Sequence, residues 1–135
     1  LKHLENGLAP QKAVSVFAFT DALGFKKASR AMAFLEDLLK HGEPPLKILT
    51  MIARQMRILL KAKLTGENKA STERSKIVGI HPFFLKTVDQ QARNWQVRAL
   101  KSTFGILAQI DERIKSEAVS SEDELRLLVL KLCSH

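Results

Sequence analysis

The segment from Pro44 to about Leu64 constrains the fold of this 135-residue chain more than any other. Leu46, Ile48, Leu49, Ile52, Met56, Leu59 and Leu60 place apolar side chains over most of the circumference of a helix, and such a helix has to be surrounded. Pro44-Pro45 marks its start, because proline is tolerated only in the first turn. Gly66 and Asn68 break the chain after it. Its one polar stripe is Lys47, Thr50, Arg54, Arg57 and Lys61, at spacings of three and four, and every charge on it is positive.

The flanking sequence supplies elements to surround such a helix. Ala13 to Leu23 is nearly all apolar and stops at Gly24, which reads as a short buried helix; the alternation Val14, Val16 leaves a strand open. Ala28, Ala31, Met32, Leu35, Leu38 and Leu39 line one face of a second helix, which Gly42 stops behind His41. Beyond the central helix, a short helix spans about Thr72 to Val78 and ends at Gly79. A fifth helix runs from Pro82 to about Asn94, with Phe84, Val88, Ala92 and Trp95 inward and His81 as a candidate cap. A sixth, from about Val97 to Ser116, turns Leu100, Phe104, Leu107 and Ile114 to the core, and Gly105 in its middle is explicable by a close helix crossing. Ser121-Glu122-Asp123-Glu124 reads as a capping box opening a buried closing helix of Leu125, Leu127, Leu128, Val129, Leu130 and Leu132. The expected fold is therefore all-α, a compact bundle of about six to seven helices. Residues 1–12, broken by Gly7 and Pro10, read as a linker or the end of a preceding domain, and residues 13–135 as one helical domain. The chain opens at Leu1 without a methionine, so a piece of a longer protein is expected.

Composition narrows the function more by exclusion than by assignment. The single Cys133 excludes an intramolecular disulfide framework and fits a reducing compartment. No apolar run reaches membrane-spanning length, so a cytoplasmic location with no membrane partner is expected. There is no phosphate loop, no dinucleotide fingerprint and no His or Cys pair at metal-ligand spacing; neither a cofactor nor a metal is expected. Glu36-Asp37 and Asp111-Glu112 are helical neighbours pointing apart, so they make no acid/base pair. Asp111 and Lys115, four apart, make a surface ion pair instead. The reading is non-catalytic.

The net charge of +8 is unevenly spread. Pro44 to Ala108 carries twelve Lys and Arg against three acids, whereas Asp111 to Glu124 carries six acids against Arg113 and Lys115. A basic region and an acidic end allow stacking on copies or relatives of the same chain. Two binding candidates emerge. The stripe Lys47, Arg54, Arg57 and Lys61 reads either as a solvated face or as a contact for an acidic partner or for phosphates. Thr72 to Asn94 has the spacing of a helix-turn-helix, which keeps a basic nucleic-acid-binding domain as the alternative function. Its reading end, however, carries Pro82, Phe83 and Phe84, with only Lys86, Gln90 and Arg93 as a polar stripe further along. Apolar side chains distinguish little beyond thymine methyls.

The order of motifs is similar to a known family. Val16-Phe17-Ala18-Phe19-Thr20-Asp21-Ala22-Leu23-Gly24 resembles the opening of the C-terminal domain of the bacterial DNA polymerase III delta subunit. Leu35-Glu36-Asp37-Leu38-Leu39, Gly42-Glu43-Pro44-Pro45-Leu46 and the central Leu49-to-Leu60 helix follow in the same order. Gly79-Ile80-His81-Pro82-Phe83-Phe84 and Ile110-Asp111-Glu112-Arg113-Ile114-Lys115-Ser116 extend the match to about residues 13–133. The resemblance implies a clamp-loader subunit that helps place the sliding clamp on primed DNA during replication. This chain would be its post-ATPase oligomerisation domain, which joins those of tau/gamma-type and delta-prime-type subunits in a collar. Residues 1–12 would be left from the lid connection. The clamp would be met through an N-terminal module outside this chain, and DNA through the assembled loader. The parent subunit belongs to a nucleotidyltransferase holoenzyme without hydrolysing ATP itself. Between Gly66 and Gly79 the chain departs from the family pattern, so an irregular short helix is expected there.

Overall fold

The computed structural model describes residues 16–67 and 70–134. The first helix, α1, covers residues 16–24 of the described chain, so the strand left open by Val14 and Val16 does not extend into it; residues 1–12 and Val14 lie outside the described residues. There follow α2 (Ala28–Lys40), α3 (Pro45–Thr65), α4 (Ser71–Val78), a 3-10 turn (Pro82–Phe84), α5 (Leu85–Ala92), α6 (Val97–Lys115) and α7 (Ser121–Cys133). Among the described residues there is no strand.

As its sequence demands, α3 is the hub. It packs on α6, α5, α4 and α7, while α2 lies against α7. Ile48, Ile52, Met56 and Leu59 are fully buried along one stripe, with Leu49, Ile58 and Ala62 widening it. Each large side chain sequestered this way contributes about 1.5–3 kcal/mol relative to leaving it in water. Pro45 occupies the first position of α3 behind an extended Pro44, and Lys47, Thr50, Arg54, Arg57 and Lys61 all stay in solvent. Leu46 is exposed and Leu60 only half-buried, so the hub is covered on somewhat fewer sides than the sequence implies.

Helix ends explain several departures from expectation. After α2, Glu43 N–H donates to Leu38 O and Gly42 N–H to Leu39 O around a left-handed Gly42, a Schellman ending. The same pair of bonds closes α1, from Lys27 to Ala22 and from Lys26 to Leu23, but the left-handed residue is Lys26 rather than Gly24. Gly24 lies within the helix, and space accounts for its glycine: a Cβ there would fall 2.5 Å from the Gln91 amide group. Gly105 has the opposite surroundings. It is exposed with nothing within 4 Å of a would-be Cβ, so no close crossing accounts for it. At α7 the cap is Ser120, whose hydroxyl accepts from Asp123 N–H at 3.3 Å; the box placed on Ser121 is one residue late. Leu125, Leu128, Val129 and Leu132 are buried, whereas Leu127 (63% exposed) and Leu130 face out, because α7 is covered on one side only. The segment expected to be irregular is a regular eight-residue helix, α4, ended by left-handed Gly79.

Candidate functional site

The four cations singled out in the sequence do share the solvent face of α3, but the structure divides them. Lys47 and Arg54 stand at the edge of an open groove of about 900 Å³ between α1, α3, α4 and α5, and Arg57 and Lys61 lie outside it. Lys47 is 3.4 Å from the buried Glu43 carboxylate. Arg54, Arg57 and Lys61 have no ion pair among the described residues, although Arg54 shares its face with Lys47 one heptad away.

The groove is walled by Phe17, Met51, Ile58, Phe84 and Val88. Phe84 is half-buried rather than inward. Its ring tilts against Phe17 at 5.4 Å and meets the edge of Phe83 at 5.2 Å. Such offset and edge contacts suit the ring quadrupoles. Phe83 itself is 78% exposed. His81 positions this aromatic turn by accepting Phe83 N–H at its Nδ1, 3.0 Å away, the capping role its sequence position implied.

A polar chain floors the groove. Gln55 donates to Gln91 Oε1 at 2.8 Å, and Gln91 donates to Asp21 Oδ1 at 2.8 Å. Gln91 is only 2% exposed, so each amide bond here offsets a desolvation cost. Burial pushes the Asp21 carboxyl above its ordinary range, and the Gln91 hydrogen bond partly opposes that rise. Nearby, Trp95 donates its indole N–H to Gly24 O at 2.9 Å, which fixes α1 to the connection between α5 and α6.

Beside the groove lies a pair that sequence reasoning missed. Arg74 on α4 is 3% exposed and grips Asp89 on α5 through two bonds of 2.7 and 2.8 Å. It also donates to Ala62 O at 3.1 Å and to Thr65 Oγ1 at 3.4 Å at the end of α3. The hydrogen bonds to Asp89 hold its guanidinium pKa above the usual value, against the effect of burial. No local signal marks this pair, since the two residues lie fifteen apart across the Gly79 turn. This bidentate clamp ties α4 to α5 across the Gly79 turn.

The acidic end is largely self-satisfied. Asp111 pairs with Lys115, Glu124 with Arg113, and both Glu122 and Asp123 with Arg126, which also grips Glu36 on α2. Among the described residues no three His, Cys, Asp or Glu side chains come together as a metal site. No helix among them is long and apolar enough to cross a membrane.

Comparison with known proteins gives this architecture its relatives. The family described as "DNA polymerase III delta subunit, C-terminal domain" matches residues 13–132. The chain belongs to that family. The Bacillus subtilis DNA polymerase III subunit delta is 27% identical over 119 residues, which cover 87% of this chain and 34% of that protein. This delta C-terminal domain thus spans about a third of the length of the curated relative it matches. A solved Bacillus subtilis DNA clamp loader delta protein shares the fold with a TM-score of 0.76 at 24% identity, covering 90% of this chain and 36% of that one. The expected delta-type helical domain is therefore confirmed, and the family favours it over a nucleic-acid-reading module.

Proposed function

We propose that this delta C-terminal domain is an assembly element of a bacterial replication clamp loader. Its helices pack against the corresponding domains of tau/gamma-type and delta-prime-type subunits. The observation that carries this reading is the family match across residues 13–132, in a chain with the same fold as a clamp loader delta protein. On this reading residues 1–12 lead from a lid domain, the sliding clamp is gripped by a module outside this chain, and DNA is met through the assembled loader in the cytoplasm. The domain does no chemistry itself, although its holoenzyme is a nucleotidyltransferase. The exposed cations Lys47, Arg54, Arg57 and Lys61 orient an acidic neighbour, since exposed charge sets approach and register more than affinity.

The test is co-purification of the full-length subunit with the remaining loader subunits, with and without residues 13–135. Deletion is expected to abolish incorporation. Full incorporation of the truncated subunit would overturn the reading.

A further inference from the structure

Apart from any place in a ring, the groove between α1, α3, α4 and α5 has a chemistry of its own. Its walls are apolar and partly aromatic, with Phe17 53% exposed at the mouth. Aromatic residues and methionine are enriched where proteins meet, and this groove carries Phe17, Phe84 and Met51. The rim is cationic: Lys47, Arg54 and Lys76 all line it and all lie in solvent. Of the two carboxylates in the lining, one pairs with Lys47 at 3.4 Å, and no ion pair among the described residues holds Arg54 or Lys76. Glu43 is buried beside Lys47, and Asp21 is bonded to Gln91 in the floor. The chain's own acidic stretch is no complement to this rim, because four of its six acids already engage Lys115, Arg113 and Arg126.

We propose that this groove docks an acidic amphipathic helix of a partner protein. Two or three apolar side chains of that helix, at spacings of three and four, seat between Phe17, Met51, Ile58 and Phe84. Its flanking carboxylates face Lys47, Arg54 and Lys76. Free phosphate or nucleic acid fits the rim but leaves the apolar walls wet, which is why a peptide is the better complement.

The probe is a fluorescently labelled peptide of about sixteen residues, roughly four helical turns, with Leu and Phe on one face and Glu on the other. Its twin has every Glu replaced by Lys. Both are titrated against the whole chain by fluorescence anisotropy. The Glu peptide is expected to bind saturably, about tenfold or more tightly than its twin, and to weaken as salt rises from about 50 to about 300 mM. Arg54→Glu should narrow or reverse that preference, and Phe17→Glu should abolish binding. Both substitutions are at exposed positions, and circular dichroism checks that each variant is folded. Equal binding of the twins, binding of neither, or binding indifferent to both substitutions would overturn the proposal. So would displacement of the peptide by a DNA oligonucleotide, which assigns the face to phosphates. Self-association of the chain that Arg54→Glu abolishes would assign it to a second copy. Binding only after removal of residues 1–15 would assign it to the chain's own N-terminal residues.

Discussion

Replacing Asp89 by alanine removes one half of a buried charge pair and leaves the other half in place. The Arg74 guanidinium, 3% exposed, then loses its bonds of 2.7 and 2.8 Å and keeps only Ala62 O and Thr65 Oγ1. Stranding one member of a buried pair costs about 3–5 kcal/mol. The Asp89 side chain is 14% exposed, so water reaches the vacated space and the lower end applies, about 3 kcal/mol. For a chain of this size each kcal/mol moves Tm by roughly 3–5 °C, which gives a fall of about 9–15 °C. Urea unfolding should show a lower midpoint with an unchanged slope, because the surface exposed on unfolding is the same. The double variant Arg74→Met/Asp89→Leu should recover most of the loss, since no charge is left buried. A single variant within about 1 kcal/mol of the parent would refute the reasoning, because that is the range of a solvated surface pair.

Three further outcomes are expected. Gly24→Ala should destabilise by about 1–3 kcal/mol, since its Cβ meets a Gln91 amide held by bonds on both sides, whereas Gly105→Ala should stabilise by about 0.5–1 kcal/mol; thermal melts of the two variants check the contrast. Ser120→Ala should cost about 1 kcal/mol and Ser121→Ala little, which places the α7 cap by chemical denaturation. The Asp21 carboxyl has a folded-state pKa raised by burial, so the folded chain holds that proton longer than the unfolded one and stability is lost as pH rises through the raised value. Asp21→Asn should therefore gain on the parent as pH is raised from about 4 to about 7, and a gap that stays flat across that range would contradict the assignment.

The helices were legible in the sequence wherever an apolar stripe coincided with a Gly or Pro stop. The α3 hub shows both signals: Pro44-Pro45 opens it, and Ile48, Leu49, Ile52, Met56 and Leu59 pack as their spacing requires, while Leu46 is exposed and Leu60 only half-buried. Where the signal was a single residue type, two environments could produce it. Gly24 looked like a stop and is a point of close approach, while Gly105 looked like a close approach and faces solvent. Leu127 and Leu130 look like core in a string of leucines, because sequence does not reveal how many sides of a helix are covered. The cationic stripe was visible from its spacing, yet its division by the groove depends on where α1 and α4 dock. Arg74, Asp89, Gln55 and Gln91 were invisible as partners because each bond joins two different helices, and no periodicity within one helix relates such residues.

Trp95 is the chain's single tryptophan, and there is no tyrosine. Its indole is held by the Gly24 carbonyl and lies 4.3 Å beneath the Lys26 ammonium. Under excitation that spares phenylalanine, all emitted light therefore originates at the joint between the first helix and the rest of the bundle. Loosening that joint wets the indole and moves its emission to the red. Separation of α2 from α7 on its own stays dark. The molecule thus carries a built-in optical gauge of one particular seam, readable without any label.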